Sequence, residues 1–331
     1  MGFEQLIGHE RPLKMIRAML LRERLPHALL ITGPTGVGKR TFALALAQAV
    51  NCERLESGEP CGICPACDKI GRGIHPDVIE IEPEGRSRVI KIERIREMRT
   101  QISFRPFEGR TKVFLVREAQ NMHEASANAL LKTLEEPPPA SLIILTVPEE
   151  TDLLPTVVSR CLRLSLAPLS RQVIEDWLER ERGITGAEAH LLASLSGGCP
   201  GRVVDIEAEA VWDQRRETLE KLTQVESRDY TAALDWAESL ARDENERVMT
   251  FDLLRFWYRD LMILSCQGDE RHLINSDLLD ELKRFKRQRK TSAFSNALNK
   301  IDDAEEALGR MARPDLVMEN LMLNLFETLE G

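Results

Sequence analysis

His27-Ala28-Leu29-Leu30-Ile31-Thr32-Gly33-Pro34-Thr35-Gly36-Val37-Gly38-Lys39-Arg40-Thr41 decides the fold. Ala28 to Thr32 is an apolar run of strand length, a Gly-rich turn follows it, and Arg40 to Val50 has the apolar spacing of a helix. Strand, glycine turn and helix in that order make a phosphate-binding loop. Backbone N–H groups face phosphate oxygens, the helix N-terminus favours their negative charge, and the lysine reaches the β- and γ-phosphates. Gly33, Gly36, Gly38 and Lys39 are the nucleotide-binding candidates. One position departs from the pattern: the hydroxyl that should follow the lysine and ligate Mg²⁺ is replaced by Arg40. Thr41 comes one residue late, and because a helix turns by about 100° per residue its hydroxyl is expected to point away from the ion.

Outward from this segment, Val78 to Ile81, Val113 to Val116, Leu142 to Thr146 and Leu162 to Leu166 are further short runs rich in Ile, Leu and Val. Ile90 to Ile102 and Ala125 to Leu134 have helical spacing between them. Alternating β and α segments predict a doubly wound α/β domain whose parallel strands are buried on both faces. After Pro168 the strand-type runs stop, and helical patterns cover Gln172 to Glu181 and Ala187 to Leu195 before a Gly/Pro-rich break at Ser196 to Gly201. From about Ala208 onward the chain reads as helix after helix, with turns expected near Gly268 and at Pro314. The expected domains are 1–166, 167–207 and 208–331, the first carrying an inserted cysteine module at 52–67.

Val113-Phe-Leu-Val116 is followed by Arg117-Glu118, in the place where a P-loop protein carries an Asp that orients the Mg²⁺ shell and a Glu that polarises the attacking water. The Asp is replaced by Arg117 while Glu118 remains. A cation there repels a divalent ion by about 4 kcal/mol per unit charge at 4 Å and an effective dielectric of 20, roughly a thousandfold in occupancy. With two Mg²⁺ ligands gone, the chain is expected not to hydrolyse ATP, and Mg²⁺ is not expected at the loop.

Cys52, Cys61, Cys64 and Cys67 form a Cys-x₈-Cys-x₂-Cys-x₂-Cys cluster among Pro60, Gly62 and Pro65, while Cys161, Cys199 and Cys266 stand apart. Four thiolates with tight turns between them suit a closed, structural Zn²⁺ site. An iron–sulfur cluster is the rival reading, but the fourth Cys followed by Pro is absent.

Ser159-Arg160-Cys161 closes a helical stretch just before the last strand, and an arginine so placed can act in trans on a neighbouring subunit's γ-phosphate. Together with His27 to Gly33, the four cysteines and Ala127-Asn-Ala-Leu-Leu-Lys-Thr-Leu-Glu-Glu-Pro137, this segment resembles the delta-prime family of the bacterial replicative (DNA polymerase III) clamp loader. The resemblance covers about the first 205 residues, and the helical remainder fits the family's collar domain in pattern only. It implies an AAA+ fold with a helical lid domain and a helical collar domain. It also implies a heteropentamer with gamma or tau and delta subunits that opens the sliding clamp and places it on primer-template DNA. On that basis Arg160 is the arginine finger, Thr146 holds the sensor-1 position, Arg202 the sensor-2 position, and the chain is a stator. ATP or ADP held without turnover remains compatible with the intact Gly-rich loop.

A formal net charge of −9 argues against a protein that coats DNA by itself, since phosphate binding requires a basic surface. No apolar run approaches the roughly 20 residues of a membrane span, and the N-terminus lacks an export signal, so a cytoplasmic address is expected. Two other readings stay open: an ATP-hydrolysing motor subunit of the same complex, favoured by Lys39 and Glu118, and a zinc-dependent nucleic-acid binder. The second is favoured by the cysteines and by the basic run Lys283 to Lys290, although such a run is ordinarily a solvated helix face. The Leu- and Met-rich stretch from Leu316 to Leu329 reads as a core-facing or intersubunit helix.

Overall fold

Alternation within the strands determines how the sheet is covered. The computed structural model describes residues 2–85, 87–226, 230–287 and 289–328. Strands β1 (Ala28–Thr32), β2 (Val78–Ile81), β3 (Lys112–Val116), β4 (Ser141–Val147) and β5 (Leu162–Ser165) form one parallel sheet in the order β2-β3-β4-β1-β5. Successive side chains of a strand point to opposite faces. Leu29, Ile31, Leu142 and Ile144 therefore join Phe42 and Leu46 in one apolar cluster, while Leu30, Ile143 and Leu145 join Met98, Leu130 and Val157 in another. Helices cover both faces: α1 (Glu10–Leu21), α2 (Lys39–Asn51), α3 (Pro65–Gly71), α4 (Ile92–Ile102), α5 (Glu124–Glu135) and the single turn α6 (Pro155–Val158).

The expectation of strands buried on both faces holds for the three central strands and fails at the edges. In β5, Arg163 and Ser165 are exposed, and β2 carries Glu80 between Ile79 and Ile81. An edge strand has a neighbour on one side only, so its outer positions admit charge.

The chain divides into two compact units, Met1–Ile174 with Ser196–Val204, and Glu175–Leu195 with Asp205–Gly331. The second is helical, built on α8 (Gly186–Leu195), α9 (Ala208–Glu226), α10 (Tyr230–Arg242), α11 (Glu244–Ser265), α12 (Leu279–Lys286), α13 (Thr291–Gly309) and α14 (Pro314–Thr328), with α7 (Arg171–Arg182) leading into it. Its core packs Trp236, Phe251, Trp257, Tyr258, Phe294 and Ile301 against Met318, Leu321, Met322 and Leu325 of α14. The Leu/Met-rich stretch thus turns one face inward, while Leu316 and Leu323 remain exposed; Leu329 lies outside the described residues. Asp260, buried on α11, accepts from Ile274 N (3.0 Å) and from Asn275 N (2.7 Å) and Nδ2 (2.9 Å), pinning the loop after the helix. No described helix is long and apolar enough to cross a membrane.

In the first unit, two buried side chains shape the loop between α4 and β3. Asp77, fully buried, accepts from the backbone N–H groups of Phe107 (2.7 Å), Glu108 (2.9 Å) and Gly109 (2.8 Å). Asn51 Oδ1 accepts from Arg110 N (2.8 Å) and Thr111 N (2.9 Å). Burial pushes the Asp77 carboxyl up, but the three N–H donors outweigh it and hold the group below the ordinary aspartate range. The folded carboxyl holds its proton less tightly than the unfolded one. Its share of stability is therefore full above about pH 4 and is lost as pH falls through the lowered folded value. Asp77→Asn is expected to cost about 2 kcal/mol at pH 7 and to flatten the loss of stability below about pH 4, both read by urea unfolding across pH. Unchanged stability and an unchanged acid limb would rule out this anchoring role.

Candidate functional site

The Gly-rich loop is closed over by a second segment of the same unit. Gly201 N donates to Gly36 O at 2.9 Å, backbone against backbone. A Cβ on Gly201 would lie 2.9 Å from Gly36 Cα, and one on Gly36 would lie 3.1 Å from Arg202 N, so neither position admits a side chain without displacing the other. Gly36 is also at φ +84°, a conformation that favours glycine. Arg202 thereby lies against the loop.

Lys39, the first residue of α2, folds its ammonium back onto the loop and donates to the carbonyls of Gly33 and Pro34. Burial lowers its pKa, opposed by the nearby Cys199 thiol and Glu118 carboxylate. Cys199 is buried beside both Lys39 and Arg202; burial pushes its thiol up despite the two cations. Thr41 lies in the first turn of α2.

Arginines stand where the metal's ligands would be, and each is held by a glutamate. Arg40 makes a bidentate pair with Glu80 of β2, Nε to Oε2 at 2.8 Å and Nη2 to Oε1 at 2.7 Å. Arg117 Nη1 donates to Glu82 Oε2 at 2.5 Å and lies 4.0 Å from Glu80. The repulsion of a divalent ion is therefore smaller than for bare arginines, because each charge has a partner. Neither arginine offers an oxygen at the two sequence positions where a P-loop protein carries a hydroxyl and a carboxylate for Mg²⁺, so these two side chains do not fit the ion. Glu118, in the left-handed region at φ +49°, is captured too. Arg88 Nη2 donates to both its oxygens at 2.8 and 2.7 Å, and Asn121 Nδ2 donates to Oε2 at 3.2 Å. Thr146 Oγ1 accepts from Glu118 N at 3.2 Å.

Lys39 and Arg202 lie at the loop, Glu118 is near enough to Lys39 to act on it by charge, and Thr146 bonds to Glu118. Arg160 stands apart from this group and pairs with Glu135 of α5 at 2.6 Å. Sequence reading does not single out Glu80, Glu82 or Arg88; Glu135 lies in the Ala127–Pro137 segment and Cys199 stands apart from the cysteine cluster, and neither carries a role there. The one available signal is Glu80, a charge inside the apolar strand Val78-Ile-Glu-Ile81.

The four cysteines converge as expected. Their sulfurs all lie within 4.8 Å of one another, and none forms a disulfide. Four thiolates about 2.3 Å from one tetrahedral ion stand about 3.8 Å apart, so the cluster fits a metal with small contraction. Backbone N–H groups already face the sulfurs: Cys61 N to Cys52 Sγ at 3.2 Å, Cys64 N to Cys61 Sγ at 3.4 Å, and Cys67 N to Cys64 Sγ at 3.5 Å. Donors of this kind, first of all the N–H of Ile63, lower the Cys61 thiol to about 6, whereas burial raises that of Cys67. Cys64 also caps the N-terminus of α3, a helix within the cluster that sequence reading does not anticipate. The basic run is divided: Lys286 Nζ donates to Leu264 O at 2.6 Å and Arg289 stacks on Phe285 at 4.0 Å, whereas Lys283 pairs with Glu270 at 2.8 Å at the surface and Arg284, Arg287 and Lys290 are exposed. Gln288 of that run lies outside the described residues.

A parallel sheet in this order, a Gly-rich loop entering α2 and a helical second unit define an AAA+ P-loop protein. Residues 8–170 match the family model described as DNA polymerase III, delta subunit, and residues 209–327 match a second model, for the C-terminal part of the delta subunit. The chain is 30% identical to the DNA polymerase III subunit delta' of Bacillus subtilis over 322 residues, 96% of each chain. It is 34% identical to subunit delta' of Pseudomonas aeruginosa over 60% of this chain and 61% of that one. With subunit tau of Escherichia coli it shares 33% identity over 75% of this chain and 39% of that one. A gamma-subunit-related protein of Thermotoga maritima superposes at a TM-score of 0.45 and 18% identity, covering 96% of this chain and 99% of that one. The chain belongs to the delta-prime family of bacterial DNA polymerase III subunits, and is a clamp-loader component.

The metal cluster generates a direct test. Titrating the reduced chain with Co²⁺ is expected to give thiolate charge-transfer absorption saturating at one ion per chain, and Cys64→Ser is expected to weaken binding at least tenfold and lower the melting temperature. Absence of the absorption band in the reduced wild-type chain would rule out a four-sulfur site.

Proposed function

We propose that the chain is the stator of the clamp loader: it does not hydrolyse ATP and completes a neighbouring motor subunit's site with Arg160. The observation that carries this reading is the capture of three groups by internal ion pairs, Arg40 by Glu80, Arg117 by Glu82, and Glu118 by Arg88. Hydrolysis requires a divalent ion to neutralise charge developing on the phosphates and a free carboxylate to orient water. Here the ion's ligands are cationic, and the carboxylate is bound to a third arginine.

The Gly-rich loop still offers N–H groups to phosphate, so ATP or ADP binding without turnover is compatible with the site. Within it Thr146 serves as sensor 1 and Arg202 as sensor 2. The cysteine cluster holds Zn²⁺ in a closed structural site. The domain plan is an AAA+ domain over 1–166, a lid over 167–207 and a collar over 208–331. The collar assembles with gamma or tau and delta subunits into a heteropentamer that loads the sliding clamp on primer-template DNA in the cytoplasm. Relatives bearing the names delta' and tau support membership of such a complex. The net charge of −9 weighs against independent nucleic-acid binding.

ATP turnover by the purified chain, alone and then with its motor and delta subunits, clamp and primed DNA, tests the reading. The chain alone is expected to be silent, and Arg160→Ala is expected to reduce turnover at the adjacent site about 10³-fold with assembly intact. Turnover by the isolated chain that Lys39→Ala abolishes would identify a motor subunit instead.

A further inference from the structure

Arg160 is held on its own chain by three hydrogen bonds. Nη1 donates to Thr156 O at 2.9 Å and to Ser159 Oγ at 3.4 Å, both within the turn that carries the residue. Nη2 donates to Glu135 Oε1 at 2.6 Å, across to a different element. The local bonds fix the base of the guanidinium. The bond to Glu135 fixes its direction.

Glu135 is unusual in its position. It is the last residue of α5 and is followed by Glu136, so two carboxylates stand at a helix C-terminus, the end at which negative charge is disfavoured. Lys132 in the last turn of α5 and Arg160 supply the cations that relieve this. The pair is open to solvent, with Arg160 35% and Glu135 50% exposed, so the bond is weak and exchangeable. A phosphate presents three acceptor oxygens and more charge than one half-exposed carboxylate, and competes well for the same N–H groups.

We propose that Glu135 is a latch: it keeps Arg160 on α5 and yields it to a phosphate presented by an adjacent subunit. Glu135 is a positioning residue, acting on the neighbour's chemistry only through Arg160. The inference rests on the reading of Arg160 as an arginine finger.

The test uses the reconstituted clamp loader with clamp and primed DNA below saturation, and compares wild type, Arg160→Ala, Glu135→Gln and the double variant. An exposed ion pair biases an equilibrium by about two- to fivefold. Glu135→Gln is expected to raise turnover by about that factor, chiefly through a lower apparent KM for ATP, and Glu135→Asp to restore wild-type values. In the Arg160→Ala background Glu135→Gln is expected to have no effect, an outcome that a merely structural role for Glu135 does not produce. Glu136→Gln serves as the neighbouring control, with turnover unchanged, and thermal melts of each variant check folding. If Arg160→Ala alters turnover but Glu135→Gln leaves it unchanged or lowers it, the latch is wrong and the finger stands. If Arg160→Ala leaves turnover unchanged, the finger reading fails and the latch with it.

Discussion

Backbone meets backbone at Gly36 and Gly201, and the arrangement of the site follows from that contact. Main chains approach this closely only where neither residue carries a Cβ. Once Gly201 is seated on the loop, Cys199 and Arg202 have little freedom: they lie on either side of the contact, one beside Lys39 and the other over Gly36. Gly198, at φ +81°, turns the chain into this position, and its carbonyl accepts from Leu169 N at 2.8 Å.

Charge in the site is arranged on the same plan of internal replacement. Lys39, Arg40, Arg88 and Arg117 face Glu80, Glu82 and Glu118, and each arginine finds a carboxylate within 2.8 Å. These pairs are substantially open to water and contribute little stability individually. Their effect is to occupy directions: carboxylate oxygens that could meet water or an ion are turned to guanidinium groups instead. The cysteine cluster follows a different rule, since its sulfurs converge on one another and on backbone N–H donors, an environment that suits a metal.

What is legible in the sequence is local. The strands from Ala28, Val78, Val113, Leu142 and Leu162 are readable because runs of Ile, Leu and Val leave few alternatives, and the glycine loop and cysteine spacing because each function requires neighbours in sequence. Arg40 and Arg117 are visible as substitutions, but their partners are not. Glu80 lies 40 residues from Arg40, Arg88 lies 30 from Glu118, and Glu135 lies 25 from Arg160. Pairs at such separations arise only when the sheet brings α2, β2 and the loops after the strands together, and a lone acidic residue carries no mark of its partner. The edge strands are misjudged for a related reason: a strand's place in the sheet is a property of topology, and β2 and β5 read like central strands until their neighbours are known.

The three captured groups also bear on how such a chain can change by mutation. Replacing Arg40 alone leaves Arg117 in place and Glu118 still bound to Arg88; replacing Arg117 alone leaves the loop without its hydroxyl. The ion pairs around Glu80, Glu82 and Glu118 tie these positions into one network, so the effect of a substitution at any one of them depends on the residues at the others.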